Sequence, residues 1–200
     1  MRLIAVSKTK PVEAIKAAYA QGQRDFGENY VSEALDKIDA CRNLNIVWHF
    51  LGPLQSNKTR LVATHFDWIH SVDRIKIARR LNEQRPEELP PINVCLQVNI
   101  PHEPTKSGVS SEAELLDLAL AVSEMERLKL RGLMAIPAPA DNPVSQREQF
   151  KLIAKLLSIP GIPREMNELS MGMSADMESA ITEGATMVRI GTDIFGARYN

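Results

Sequence analysis

Leu3-Ile4-Ala5-Val6-Ser7-Lys8-Thr9-Lys10-Pro11 is the stretch on which the reading of this fold turns. Lys8 closes a short apolar run, and Pro11, which has no amide hydrogen, stops the extended segment. Val12 to Gln21 then carries its apolar residues at helical spacing. The first unit is therefore strand, loop and helix, with a lysine in the loop.

The same alternation recurs along the chain. Candidate strands are predicted at Leu3 to Ser7, Asp25 to Gly27, Val47 to Leu51, Trp68 to Ser71, Asn93 to Val98, Leu130 to Met134, Glu168 to Ser170 and Met187 to Ile190. Helical stretches such as Val12 to Gln21, Ser32 to Ala40, Arg74 to Gln84, Glu112 to Glu124 and Pro143 to Leu157 lie between them. Repeated βα units make an α/β fold around a parallel sheet. An open doubly wound sheet usually has fewer strands and places its ligand at one strand-order reversal. Here the informative residues follow the first, second, third, seventh and eighth strands, a scatter around a rim that suits a (β/α)8 TIM barrel.

One count does not balance. The chain begins at its first strand and ends about ten residues after its last, so eight strands are expected to be accompanied by seven helices. The expectation is a barrel lacking its N-terminal helix, with an apolar flank exposed between the eighth and first strands.

Composition narrows the partners. Two hundred residues with no linker-like stretch read as one domain, residues 1–200. Lys and Arg total 24 against 25 Asp and Glu, for a net charge of −1, so no basic surplus favours nucleic acid or an anionic membrane. Cys41 and Cys95 stand without ligand spacing, which fits a reducing compartment and argues against a disulfide scaffold or a zinc site. The expected location is cytoplasmic, because no run approaches the roughly 20 apolar residues of a membrane span. His49, His65, His70 and His102 form no metal-binding pattern and are expected to pack or to face water.

The candidate chemistry lies at both ends of the chain. Lys8, buried at the mouth of a parallel sheet, would lose hydration; its pKa would fall, and the neutral amine could condense with an aldehyde to a Schiff base. Ser174 follows a glycine-containing turn and precedes Asp176-Met177-Glu178-Ser179, where its hydroxyl can bind a phosphate, cap the helix, or do both. Gly191 and Thr192 begin the loop after the last strand, where a backbone without Cβ lets an anion approach. Arg189 sits inside that strand and needs a partner, because its charge cannot be removed. Two are open to it: a heteroaromatic nitrogen, or a salt bridge with Glu168 or Glu28. Asn29, after the second strand, offers an amide. Asn99 and Lys106 follow the fifth strand, and Met134, Met171 and Met173 are expected to fill the interior or wall the site.

Six segments in order carry a resemblance. They are Val6-Ser7-Lys8-Thr9-Lys10-Pro11, Phe26-Gly27-Glu28-Asn29-Tyr30, Trp48 to Lys58, Gly132-Leu133-Met134-Ala135-Ile136, Ser170-Met171-Gly172-Met173-Ser174 and Arg189-Ile190-Gly191-Thr192. Together they resemble the pyridoxal phosphate homeostasis proteins, the YggS family, whose fold is the barrel of the alanine racemase N-terminal domain. The likeness runs from Leu3 to Tyr199. It implies that Lys8 holds pyridoxal 5′-phosphate as a Schiff base, that Ser174 and the backbone of Gly191 and Thr192 hold the phosphate, that Arg189 faces the pyridine nitrogen, and that Asn29 lies near the cofactor. Two departures stand out: the helix that members carry before the first strand is missing, and Ala175 replaces a frequent acid while Asp176 and Glu178 remain.

The implied function is to bind and to buffer or deliver the cofactor, with apo forms of enzymes that use it as partners and a monomeric state. The alternative is an amino-acid racemase or related enzyme. Racemases of this barrel need a second acid or base on the opposite cofactor face, normally from an added domain and a partner subunit, and a chain of this length is expected to lack it.

Overall fold

The structure is a computed structural model that describes residues 1–99, 107–140 and 142–196. Strands and helices alternate: β1 (Arg2–Val6), α1 (Val12–Ala20), β2 (Asp25–Glu28), α2 (Val31–Ala40), β3 (Val47–Phe50), α3 (Thr59–His65), β4 (Trp68–Val72), α4 (Ile75–Gln84), β5 (Ile92–Val98), α5 (Glu112–Ser123), β6 (Leu128–Ala135), α6 (Pro143–Lys155), β7 (Glu168–Ser170), α7 (Met177–Thr182), β8 (Met187–Ile190) and α8 (Thr192–Phe195). Every strand pairs in parallel with its neighbour, and β8 closes on β1, so the sheet is a barrel. Val6 stands opposite Gly27 on one side, and Ile4 opposite Arg189 on the other.

Because side chains alternate across a strand, each strand feeds two cores. Ile4, Leu51, Trp68, Cys95, Met134 and Met187 cluster inside the barrel. Their neighbours of opposite parity, among them Ala5, Phe26, Phe50, Ile69, Val94 and Leu96, face the helices. Helical spacing supplies the other side of that outer core, with Ile77, Ala78 and Leu81 on α4 and Leu115, Leu118, Ala119 and Val122 on α5. Helix starts follow local chemistry. Ser111 accepts from the Glu114 N–H, and Asn142 accepts from the Ser145 N–H ahead of a proline in the first turn.

Two expectations need correction. β1 ends at Val6, not Ser7, because the Ser7 carbonyl leaves the sheet to accept from Lys10 N–H and Lys37 Nζ. An eighth helix also exists: α8 is a single four-residue turn after β8. It contributes only a partly buried Phe195 to the outer core. A groove lined by Leu3, Ala14, Ala18, Ile194 and Phe195 remains between α1 and α8, and Leu3 is 42% exposed there. No helix among the described residues is long and apolar enough to cross a membrane.

Candidate functional site

Lys8 lies two residues beyond the end of β1, in a turn closed by the Lys10 N–H to the Ser7 carbonyl at 3.0 Å. Thr9, next to it, has φ 63°, a left-handed conformation that a β-branched residue adopts only under constraint. The constraint is visible: the Thr9 N–H donates to Glu33 Oε1 at 2.5 Å. Below the turn, Ser7 Oγ donates to Glu28 Oε1 at 2.6 Å, and Lys37 Nζ donates to the same oxygen at 2.8 Å. Glu28 is fully buried, and burial raises its carboxyl above the ordinary range, against the opposing pull of Lys37 and Ser7. Its other oxygen, Oε2, is buried without a hydrogen-bond partner. Lys10 is held elsewhere: its Nζ donates to the carbonyls of Phe195 and Gly196, both at 3.0 Å. That bond ties the Lys8 turn to the end of α8, as cations commonly do at helix C-termini.

A cleft of about 250 Å³ opens at the C-terminal mouth of the barrel, lined by Asn29, Leu51, Pro53, Asn99, Ser107 and Ile136 among others. Asn29 and Gly52 meet at its wall. A Cβ on Gly52 would fall 2.1 Å from the Asn29 carbonyl oxygen, so only glycine lets the loop after β3 approach the loop after β2. Larger depressions lie outside the barrel, against α4 and α5 and against α1 and α8. They are shallow grooves between helices, whereas polar groups from several strands converge on the mouth.

Arg189 is 5% exposed in the interior. The two carboxylates expected as ion-pair partners are not bonded to it: Glu28 is engaged with Lys37, and Arg189 donates to the Ser170 carbonyl (2.5 Å), Ser170 Oγ (2.8 Å) and the Ala135 carbonyl (2.9 Å). Three of five guanidinium N–H groups are thus used, and two have no acceptor among the described residues. Burial lowers its pKa to about 10, with Asp176 opposing, so it stays charged at neutral pH.

Ser174 does not cap α7. The N-cap position is Asp176, and Asp176 Oδ1 instead accepts the Met173 N–H at 2.6 Å across the turn. Ser174 Oγ is left without a protein partner among the described residues. Gly191 leads into α8; a Cβ there would sit 3.3 Å from the Val6 carbonyl oxygen, so this backbone is pressed close to the end of β1. Thr192 opens α8 with its N–H outside the helical ladder. Met134 is buried in the interior, Met171 is buried in the outer core, and Met173 is 39% exposed near the mouth. Asn99 lines the cleft. Lys106 and His102 lie outside the described residues.

Sequence reasoning named the rim residues but missed what supports them. Lys37 and Glu33 lie within the helical stretch, and nothing local marks them as the floor of the Lys8 turn. For His49 and His70 the sequence leaves packing and solvent exposure both open. Both are completely buried inside the barrel, and their signal was inward parity in strands that are otherwise apolar.

The family model described as alanine racemase, N-terminal domain, matches residues 1–199. The pyridoxal phosphate homeostasis protein of Escherichia coli (strain K12) is 57% identical over 202 residues, covering 98% of this chain and 85% of that protein. Among solved structures, PipY of Synechococcus elongatus PCC7942, a COG0325 family member, superposes without PLP at TM-score 0.89 and 42% identity, covering 98% of this chain and 93% of that one. The same protein with PLP bound gives TM-score 0.86 at 40% identity, covering 98% and 92%.

Proposed function

Because this chain belongs to the alanine racemase N-terminal domain family, among the pyridoxal phosphate homeostasis proteins, we propose that it binds pyridoxal 5′-phosphate at the C-terminal mouth of the barrel and buffers or delivers it. The observation that carries this reading is that β7, β8 and β1 are neighbours in the barrel, so the loops of Ser174, of Gly191 and Thr192, and of Lys8 open on one rim beside Arg189. Arg189 retains two N–H groups for a ring nitrogen, and the Ser174 hydroxyl and the Thr192 N–H are available to an anion. When bound, the cofactor would supply an aldehyde, the group with which a lysine amine condenses.

The residues of this chain do the rest. Lys8 provides the amine from a turn held on three sides, by Glu33, Lys37 and Lys10. Arg189, already saturated on one edge, points a permanent positive charge at the ring and keeps the ring nitrogen unprotonated, which weakens the ring as an electron sink. Ser174, Gly191 and Thr192 hold the phosphate, and Asn29 walls the ring. A carrier fits this arrangement better than a racemase. Racemisation needs a second acid or base on the opposite face of the cofactor, which racemases of this barrel normally draw from an added domain and a partner subunit. In this reading the protein works in the cytoplasm as a monomer and its partners are apo forms of enzymes that use the same cofactor.

The test is the visible spectrum of the purified protein with added pyridoxal 5′-phosphate, compared with Lys8→Ala. The reading expects an imine band that borohydride fixes onto Lys8 and that the variant lacks. A folded wild type without the band overturns it. Solvent deuterium exchange at the α-carbon of L-alanine, above the rate of free cofactor and dependent on Lys8, would favour the enzyme instead.

A further inference from the structure

The barrel interior holds a line of polar side chains running away from the mouth. Asp25 Oδ1 is 2.9 Å from His49 Nε2, His49 Nδ1 is 2.9 Å from His70 Nε2, and His70 Nδ1 is 2.7 Å from Ser170 Oγ. Ser170 Oγ then accepts from Arg189 Nη1 at 2.8 Å. Five strands, β2, β3, β4, β7 and β8, each contribute one member.

We propose that Asp25, His49, His70 and Ser170 form a one-directional hydrogen-bond chain that orients Arg189 toward the ring nitrogen of its ligand, making Asp25, at the opposite end of the barrel, a positioning residue for ring recognition. The inference rests on the function proposed above. Its direction follows from the two ends. A carboxylate only accepts, so His49 must carry its hydrogen on Nε2; a guanidinium only donates, so Ser170 Oγ must receive one of its hydrogens. A neutral His49 then presents a lone pair at Nδ1, which requires a hydrogen on His70 Nε2. His70 in turn presents a lone pair at Nδ1, and the Ser170 hydroxyl donates to it. His49, His70 and Ser170 each give one hydrogen along the chain and receive one, Asp25 only receives, Arg189 only gives, and no member is left over.

A second proton on either ring would break this order. With His49 charged, His70 would have to turn its hydrogen toward Ser170, whose oxygen already receives Arg189, and the Ser170 hydrogen would lose its acceptor in the chain. Burial keeps both rings neutral, aided for His70 by the positive charges of Arg189 and Arg2. His49 also stacks on Trp68 at 5.6 Å and 15°, and its two ring nitrogens are both engaged in the chain. At the far end, Arg2 Nε lies 3.6 Å from the same Asp25 oxygen. Arg189 has no carboxylate bonded to it among the described residues, so the oriented dipoles of this chain carry the influence of Asp25 to the guanidinium.

The experiment uses Asp25→Asn, which keeps the shape but can donate as well as accept, with Ser170→Ala as a second break that leaves the carbonyl bonds of Arg189 in place. Imidazole nitrogen NMR of the ligand-free protein is expected to show both histidines neutral with hydrogen on Nε2, and the asparagine variant is expected to lose that single pattern. Binding is then measured with pyridoxal 5′-phosphate and with its analogue in which carbon replaces the ring nitrogen. Each variant is expected to weaken the natural compound by about tenfold, as for one misaimed hydrogen bond, and to leave the analogue unchanged. A hydrogen on Nδ1 in the wild type, equal loss for both compounds, or no loss for either overturns this inference alone. A wild type that binds neither compound overturns the proposed function and the ligand half of this inference with it.

Discussion

Lys37 Nζ lies 2.7 Å from the carbonyl oxygen of Ser7, so a side chain from α2 holds the backbone one residue ahead of Lys8. The same ammonium contacts Glu28 at 2.8 Å and Glu33 at 2.5 Å. Glu28 receives the Ser7 hydroxyl, and Glu33 receives the Thr9 amide. One buried cation therefore organises both flanks of the lysine turn. It also makes burial of Glu28 tolerable, since an ionised carboxylate without a partner is costly.

Lys37→Met is expected to destabilise the fold by about 3–5 kcal/mol, the usual effect of removing one partner from a buried ion pair. Urea denaturation measures it. Adding Glu28→Gln to the same chain should return part of the loss by removing the stranded charge. A single variant as stable as wild type would show that the network contributes nothing to the turn.

Thr9→Gly should act in the opposite direction. At φ 63° a threonine pays a steric penalty that glycine avoids, although glycine gains freedom in the unfolded chain, so the net gain is at most about 1 kcal/mol. A rise in melting temperature together with slower imine formation at Lys8 is the expected pair of results, because the strained turn is what sets the lysine. A fall in melting temperature would mean that Thr9 is not strained there.

His49 and His70 give the stability a pH dependence with a definite sign. Burial lowers both imidazole pKa values in the folded state, while the unfolded chain takes up these protons near pH 6.5, the ordinary value, at about 1.4 kcal/mol per histidine per pH unit. Their contribution is complete above that value and is lost as pH falls toward the folded values. Glu28 runs the other way: its raised carboxyl contributes at low pH and loses that contribution as pH rises through its folded value. Urea midpoints of wild type and His70→Gln, compared between about pH 5 and 7, separate the two. The variant should show the shallower fall on acidification, and parallel curves would refute the assignment.

Gly52→Ala should disturb the mouth of the barrel. Its Cβ would fall 2.1 Å from the Asn29 carbonyl oxygen, and backbone must move to admit it. A loss of about 1–3 kcal/mol is expected, as for other overpacked sites. Binding of pyridoxal 5′-phosphate should weaken with it, because Asn29 is displaced. Titration of the visible band measures that, and unchanged affinity would place Asn29 away from the ligand.

Much of the architecture was legible because it is written in local periodicity. Short apolar runs and helical spacing placed β7 and β8 at their observed bounds and the other strands within two residues. The rim residues were legible because each follows a strand in a short, motif-bearing loop. Arg189 was recognised as needing a partner, yet its partners were two backbone carbonyls and a serine, not the acids that sequence offered. Carboxylates of the right charge existed at Glu28 and Glu168, but parity and register decided which groups shared the interior with it. Glu28 faces α2 and pairs with Lys37.

By itself, then, the sequence determined the repeated βα unit, the closure expected of eight such units, the loops that carry Lys8, Asn29, Ser174 and Gly191, and the strand that carries Arg189, because these depend on neighbours a few positions apart. Only the tertiary structure decided that Lys37 grips a carbonyl 30 positions away and that His70 meets Ser170 across 100. Such contacts depend on which face each strand turns inward and on the register at which the barrel closes. Those are properties of the whole sheet and of no single segment within it.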